Sequence, residues 1–496
     1  FGSSLFEAPG SRMLPATPRK LNQELANATT SSAVLRVIGS HLPEFDAINV
    51  VTALHKLART GRGSSHCPPA VARSLCDRLL GLCGGAARLQ ARQLASSVWA
   101  LATLRCEQSL IAALADGALL RAVDFNPQDC ANTLWAVAAA RAEHPALVQA
   151  LCATAAAKLR RFRPQECANA VWAVAALRAQ EPQFSQRAFG ALCGGAPQLK
   201  PQELANTLWA LAALSDAGVA GLHGGALLIA VSARAPQLKP QEISSTLWAL
   251  AKLADDARWT SSEAGTAVVA LARAAHGRVS ELGPQGLANT LWALATVPVS
   301  VASPDHGDCL RAVCGAAHQK VSQLSAQGLS NCIWAMATAR LPNSDLCKAC
   351  CARAADSIND HNGQGIANIL WALAPLAHHS SDALVGLLTA AAKIRASSLS
   401  AQGVAGALWA LASLEVQDTE AAAALCDRAS LLVGEFSGQG LAGSLWALAA
   451  LRIQDRRSLI RGLAGAMRSK ADGSSPHSIV SVAWALAAVS SGPVTR

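Results

Sequence analysis

The sequence predicts an all-α fold: a right-handed α-solenoid, or superhelix, of about 11–12 helical-hairpin repeats that are 37–38 residues long in most copies. The first observation behind this prediction is a 14-residue sequence motif, PQELANTLWALAAL at Pro201–Leu214, whose variants recur along the chain. We call this motif the word. The second is the spacing of the tryptophans inside the word, which follow one another at intervals of 36 to 44 residues from Trp99 to Trp484. Such a period is typical of solenoids, in which each repeat buries its apolar face against its neighbours.

Each copy of the word is predicted to form a helix of roughly 14 residues. Pro201 suits the first helical position, and Glu203 places a carboxylate near the positive end of the helix dipole. Several copies follow a residue that caps helices well, such as Asn126 or Ser325. The copies begin at Ala91, Pro127, Pro164, Pro201, Pro240, Pro284, Ala326, Gly363, Ala401, Gly438 and Pro476.

Winding this helix at about 100° per residue divides it into three sides. For the Pro201 copy, the sides are Leu204, Leu208, Leu211 and Leu214; Ala205, Trp209 and Ala212; and Gln202, Asn206, Ala210 and Ala213. Because two of the three sides are apolar, the word is predicted to be the inner helix of each repeat, packed on both flanks. A less regular partner helix lies between successive words, for example at Ala146–Arg160.

The predicted organisation is a flexible N-terminal segment at residues 1–20, followed by a single solenoid at residues 21–496. Residues 21–60 form an atypical entry repeat, because Thr52 stands at the tryptophan position of its worn word. The regular repeats follow at residues 70–490. No apolar run of 18 residues occurs, so no membrane span is predicted. Three insertions are predicted to be loops: Thr60–Pro69, Ala257–Glu263 and Val297–Asp308.

The net charge of +10 favours a polyanionic partner. Arg163, Lys200 and Lys239 each precede the first residue of the word in consecutive copies, and Arg160 and Arg161 lie beside the first of them. A row of cations next to helix N-termini predicts contacts with the phosphates of a nucleic acid. The alternative is a solvated loop edge without a ligand.

The word also carries amide side chains at two fixed positions. These are Gln128, Gln165, Gln202, Gln241 and Gln285 at the first, and Asn132, Asn169, Asn206 and Asn289 one turn later. Amides can read base edges through paired donor and acceptor groups. The alternative, which we favour for asparagine, is a structural ladder that bonds the backbone of the next repeat. The position four residues after the tryptophan varies more, and it includes Lys252.

The tryptophans offer a second pair of alternatives, namely platforms for stacked bases or packing residues. Because each lies between two alanines on the predicted helical wheel, we favour packing.

Nothing in the sequence predicts catalysis. The 15 cysteines lie mostly in apolar helical patterns, which favours a reducing compartment. Cys347 and Cys350 have CxxC spacing without a second pair, so no metal site is predicted. No nucleophile, Walker or dinucleotide motif occurs, so we expect neither an enzyme nor a cofactor or small-molecule substrate.

The words PQELANTLWALAAL and PQDCANTLWAVAAA resemble the octotricopeptide repeat, a 38-residue helical-hairpin repeat of organellar proteins in green algae and other protists. The resemblance covers Leu21 to Val489. Leu21–Arg59 is also similar to the entry segment of RAP-domain and FAST-kinase-like proteins. No segment here is similar to the RAP domain that often accompanies such repeats, so we expect no nuclease-like activity.

The resemblance implies RNA binding in a mitochondrion, or alternatively a chloroplast. It implies either an rRNA-stabilising subunit of an organellar ribosome or a factor for maturation, stability or translation of organellar mRNA. Neighbouring proteins of a ribonucleoprotein complex are expected partners. One repeat per nucleotide would cover about 9–12 nucleotides. The rival interpretation is a protein scaffold within a large organellar complex, which predicts an apolar or mixed-charge groove instead of a continuous positive one.

Overall fold

The computed structural model describes residues 17–61, 67–214, 224–254, 262–297, 304–341, 344–376 and 382–490. These residues form α-helices joined by short turns, and no strand occurs among them. The helices are α1 (Pro18–Asn27), α2 (Ser31–His41), α3 (Ala47–Thr60), α4 (Pro69–Cys83), α5 (Ala91–Thr103), α6 (Gln108–Leu120), α7 (Pro127–Ala139), α8 (Pro145–Lys158), α9 (Pro164–Ala176), α10 (Pro182–Gly194), α11 (Pro201–Ala213), α12 (Gly225–Arg234), α13 (Pro240–Leu253), α14 (Ser262–Gly277), α15 (Pro284–Thr296), α16 (Pro304–Gln319), α17 (Ala326–Thr338), α18 (Ser344–Asp356), α19 (Gly363–Leu373), α20 (Asp382–Ile394), α21 (Ala401–Ser413), α22 (Thr419–Leu431), α23 (Gly438–Ala450), α24 (Arg457–Ser469) and α25 (Pro476–Ser490).

The odd-numbered helices from α3 to α25 hold the word, and we call them word helices. The even-numbered helices from α4 to α24 are their partner helices. A word helix packs on the partner helix that follows it, as α5 does on α6 and α17 on α18. Each partner helix then leads into the next word helix through a single turn of 3-10 helix, such as Leu159–Arg161. The predicted all-α fold of helical hairpins is therefore confirmed.

The chain divides into two compact units, residues 1–230 and 231–496, and the division falls within α12. In the first unit the word helices α5, α7, α9 and α11 pack side by side in one layer. In the second unit the word helices from α13 to α25 do the same. Within each unit, neighbouring word helices contact each other more extensively than neighbouring partner helices do. This layered packing is that of an α-solenoid; its handedness stays a prediction.

Several predicted boundaries differ from the structure. Most of the predicted flexible segment lies outside the described residues, but Pro18–Lys20 begin α1 and are helical. Parts of the three predicted loops also lie outside the described residues. Pro304–Asp308 and Ser262–Glu263 had been assigned to loops and instead start α16 and α14. Proline and acidic residues occur in first helical turns as well as in loops. The sequence pattern alone therefore does not distinguish the start of a helix from a loop at these positions.

A set of basic side chains fastens successive repeats to one another. Lys158 at the end of α8 donates to the carbonyl oxygens of Val123 and Phe125, both at 2.7 Å, on the turn that follows the preceding partner helix. Because helix and turn ends leave carbonyls without partners, a cation placed there stabilises the contact between repeats. We call these residues the turn-clamping cations. They are Arg78, Lys158, Arg278, Lys320, Arg428 and Lys470.

None of the described helices combines the length and the apolar character needed to cross a membrane.

Candidate functional site

Most of the described word helices present a narrow stripe to solvent, whereas α25 is exposed over a wider side. In α11 the stripe contains Gln202 and Ala213, which are exposed, and Asn206 and Trp209, which are half-buried. These positions fall within an arc of about 60° on a helix that turns 100° per residue. We call this set, which recurs at the same positions of the other copies, the polar–indole stripe.

The predicted third side of the helix was therefore partly wrong. Ala210 had been grouped with the polar residues, yet its exposed fraction is 0%. Trp209 had been grouped with the alanines, yet it borders solvent. A helical wheel gives angles between residues, whereas the neighbouring helices decide which part of the wheel stays uncovered.

The indoles of neighbouring repeats contact one another along the stripe. In the first unit, the ring centroids of Trp172 and Trp209 lie 6.0 Å apart at an interplanar angle of 37°. In the second unit the same contact joins Trp292 to Trp334 at 6.0 Å, Trp334 to Trp371 at 6.0 Å, Trp371 to Trp409 at 6.1 Å and Trp409 to Trp446 at 6.5 Å. The expected packing role is thus confirmed, but the rings pack on each other at the surface and leave part of each indole accessible.

The entry repeat carries a histidine in the same row. The ring of His55 on α3 lies 5.3 Å from that of Trp99 on α5. His55 therefore occupies the tryptophan position of this repeat, and the prediction that Thr52 occupies it is wrong by three residues. Because three residues are close to one turn of helix, a shift of this size preserves most of the apolar pattern and escapes detection.

The predicted amides all lie on the stripe of their own unit. Gln128, Gln165 and Gln202 in the first unit are exposed, as are Gln241 and Gln285 in the second. The asparagines one turn later are half-buried: Asn132, Asn169, Asn206 and Asn289.

A ladder between repeats exists at one pair of these asparagines. Asn206 Nδ2 donates to Asn169 Oδ1 at 3.4 Å. This contact joins two side chains, whereas the prediction had the amide bonding backbone. The exposed glutamines keep donors and acceptors that a ligand can reach.

The predicted cations stand at the N-terminal ends of word helices. In the first unit, the N-cap residues Arg163 and Lys200 donate their backbone N–H groups to the carboxylates of Glu166 and Glu203, at 2.9 and 2.8 Å. Because the acid supplies the cap, the basic side chain is not needed for it. The side chains of Arg163 and Lys200 are exposed and make no hydrogen bond or ion pair within the described residues.

The other predicted cations are placed similarly. Arg160 and Arg161 are exposed on the 3-10 turn that leads to α9. In the second unit, Lys239 caps α13 in the manner of Lys200, with its N–H 2.8 Å from Glu242 Oε2. Lys252 is exposed near the end of α13. Each unit therefore presents exposed cations near the ends of its word helices.

Several ionisable groups lie in the interior of the fold. Burial raises the pKa of the Cys130 and Cys167 thiols to about 12, so both are protonated at neutral pH. Burial also raises the pKa of Asp129. Across the part of the chain that the structure describes, no group of three or more His, Cys, Asp or Glu side chains could hold a metal ion.

Two family models match parts of the chain. The model for the Tbc2 translation factor, N-terminal domain, matches residues 22–255. The model for the RNA-editing substrate-binding complex 6 protein matches residues 278–491. Each match covers less than half of the chain, so it is a similarity and does not establish membership. The resemblance to octotricopeptide repeats stays a prediction.

No curated protein matches the chain significantly. Among structures, the chain is similar to one titled "Homology model of the full-length AP-3 complex in an intermediate open conformation", at 11% identity over 96% of this chain and 93% of that chain, with a TM-score of 0.31. This score is too low to bear on architecture or function.

Proposed function

We propose that this protein binds RNA through its polar–indole stripe and the adjoining cations, and that it acts in organellar gene expression without catalysing a reaction itself. The favoured role is a factor for maturation, stability or translation of transcripts. A permanent rRNA-stabilising subunit of an organellar ribosome is the second role consistent with the same surface. The proposed compartment is the mitochondrion, with the chloroplast as the alternative.

The observation that carries the proposal is the composition of the polar–indole stripe. In α9 it presents the exposed amide of Gln165, the amide of Asn169 and part of the Trp172 indole, with Arg163 at its N-terminal end. Amides, aromatic faces and free cations together suit single-stranded RNA, whose bases stack on rings and whose phosphates pair with cations.

Names of the similar families support the choice of RNA over other polyanions. One family is described by RNA editing and substrate binding, the other by translation. Both descriptions concern transcripts more directly than ribosome structure, which favours the role of a transcript factor. The resemblance to octotricopeptide repeats supports an organellar location.

The amides change little from repeat to repeat, whereas a base-by-base code needs residues that vary. We therefore propose recognition dominated by phosphate contacts and by stacking. The proposed contact residues are Arg160, Arg161, Arg163, Lys200, Gln128, Gln165, Gln202, Asn132, Asn169 and Asn206 in the first unit, and Lys239, Lys252, Gln241, Gln285 and Asn289 in the second.

The test measures the affinity for a 12-nucleotide single-stranded RNA by fluorescence anisotropy across a salt series. For single strands the slope of log K against log salt is about −0.7 for each phosphate contact. Replacing Arg163 and Lys200 by glutamine should weaken binding about tenfold at low salt and flatten the slope by about 1.4, which is two contacts at 0.7 each.

A matched control removes the same charge elsewhere. Arg273 on α14 pairs with Asp305 at 2.8 Å, and Arg311 on α16 pairs with Asp308. Replacing these two by glutamine should change RNA affinity less than twofold. Wild-type protein that fails to bind RNA at low salt, or that binds with no salt dependence, would refute the proposal and favour the protein scaffold.

A further inference from the structure

Within the described residues, six word helices end in the same backbone motif. The third residue after the last helical residue donates its N–H back across the helix end, as Ala142 does to Val137 O and Ala179 to Val174 O, both at 3.0 Å. This is the Schellman arrangement, which requires a left-handed residue just before the donor. The left-handed residues are Arg105 (φ 55°), Arg141 (φ 51°), Arg178 (φ 52°), Arg340 (φ 48°), Glu415 (φ 55°) and Arg452 (φ 57°).

Arginine is an unexpected residue at this position. The left-handed region strains any L side chain, so helix ends of this kind favour glycine or asparagine. Five of the six nonetheless carry arginine, and none carries glycine. A strain repeated at one structural position points to a use for the side chain.

All five arginines are exposed, and their side chains make no hydrogen bond or ion pair with any residue that the structure describes. In this they differ from the turn-clamping cations such as Lys158, whose ammonium group bonds two carbonyl oxygens. A side chain that costs backbone strain and makes no hydrogen bond or ion pair with the described part of the fold is available to an outside ligand.

Three of these arginines form a row in the first unit. Arg105, Arg141 and Arg178 follow α5, α7 and α9, which pack side by side. Each terminates a helix of 13 residues, or about 20 Å at 1.5 Å per residue. Arg163 stands at the other end of α9, so free cations lie at both ends of the same polar–indole stripe.

We propose that Arg105, Arg141 and Arg178 form a second phosphate-binding edge, opposite the edge that contains Arg163. This inference rests on the proposed RNA binding and adds residues that neither the sequence pattern nor the similarities assigned. A guanidinium group binds a phosphate through two parallel hydrogen bonds, which suits a row of separate arginines to successive phosphates. RNA fits better than an acidic protein segment because the stripe between the edges offers amides and rings to bases.

The test replaces all three arginines by glycine in the full chain. Glycine relieves the left-handed strain, so the midpoint of thermal unfolding should stay unchanged or rise. Affinity for the 12-nucleotide RNA should fall at least tenfold at about 50 mM salt, and the salt slope should flatten by about 2, since three contacts at 0.7 each are lost. The RNA affinity would then fall without a fall in the midpoint of thermal unfolding.

Glu415 provides the matched control, because it holds the same backbone conformation with the opposite charge. Glu415→Gly should leave RNA affinity unchanged or slightly raise it. Replacing the three arginines by lysine keeps the charge but loses the paired hydrogen bonds. The lysine variant should therefore bind RNA more tightly than the glycine variant and more weakly than the wild-type protein.

The outcomes separate this inference from the proposed function. If the wild-type protein binds RNA and the glycine variant binds equally well, the second edge is refuted while RNA binding stands. A fall in the thermal midpoint that accounts for the lost affinity would show that the arginines are structural and refute the edge. Wild-type protein that binds polyglutamate through these arginines in place of RNA would also refute the second edge and indicate an acidic protein partner.

Discussion

Trp371 tests whether the row of indoles holds neighbouring repeats together. Its ring centroid lies 6.0 Å from that of Trp334 and 6.1 Å from that of Trp409. Each aromatic pair contributes about 0.5–1.5 kcal/mol beyond the area it buries, so two pairs contribute about 2 kcal/mol. Truncation of a buried large side chain costs about 3–5 kcal/mol, and the indole is only half-buried. We therefore expect Trp371→Ala to cost about 3 kcal/mol.

The control is Trp484, at the same position of α25, which is 53% exposed and has no ring contact among the described residues. Trp484→Ala should cost about 1 kcal/mol or less, because less surface is buried and no pair is lost. Trp371→Phe keeps an aromatic ring, so it should lower the free energy of unfolding by about half as much as Trp371→Ala does.

Native-state hydrogen exchange of amides in α19 and α21 is the suitable assay, because repeat proteins unfold in blocks and one melting temperature averages over them. Equal effects of Trp371→Ala and Trp484→Ala would refute the structural role of the row. A loss of RNA affinity with unchanged amide protection would show that the indoles serve the ligand alone.

Two further predictions concern stability. Lys158→Met should reduce the free energy of amide protection in α8 by about 1–2 kcal/mol, because it removes the hydrogen bonds to the turn carbonyls. The control is Lys252, whose side chain makes no such hydrogen bond with the described residues. Lys252→Met should change the free energy of amide protection by no more than about 0.5 kcal/mol. Burial lowers the pKa of His361, whose ring nitrogens lack partners among the described residues. The unfolded chain therefore takes up the proton more readily, so unfolding free energy should fall as pH drops below about 6.5, and His361→Leu should remove that part of the pH dependence in denaturant titrations.

Periodicity made the hairpin fold predictable from the sequence. The start of a word helix could be predicted because a proline, an acidic residue and a following apolar run all indicate the same position. In α11 the helix begins at Pro201, as expected. The caps were also predictable: Ser437 Oγ accepts from the Gly440 N–H at 3.1 Å. These signals are local, so they need no knowledge of how repeats pack.

The exposed side of the word helix was harder to predict, because it depends on contacts between repeats. Trp209 and Ala210 are neighbours in sequence, and only the packing shows that the first borders solvent and the second does not. The row of left-handed arginines had a sequence signal that was overlooked. Arg105, Arg141 and Arg178 each follow the tryptophan by six residues, so a basic residue recurs at one fixed place after the apolar word, as Arg163 does before it.

The structure separates two groups of basic side chains that the net charge of +10 combines. Turn-clamping cations such as Lys158 and Lys470 bond carbonyls of the preceding repeat and stabilise the stack. Arg163 and Arg178 make no such bond with the described residues and lie exposed at the two ends of α9. Neutralising the first group should lower stability with little change in salt-dependent RNA binding, and neutralising the second should do the reverse. If the two groups behaved alike in both measurements, net charge alone would explain RNA affinity and the assigned edges would have no special role.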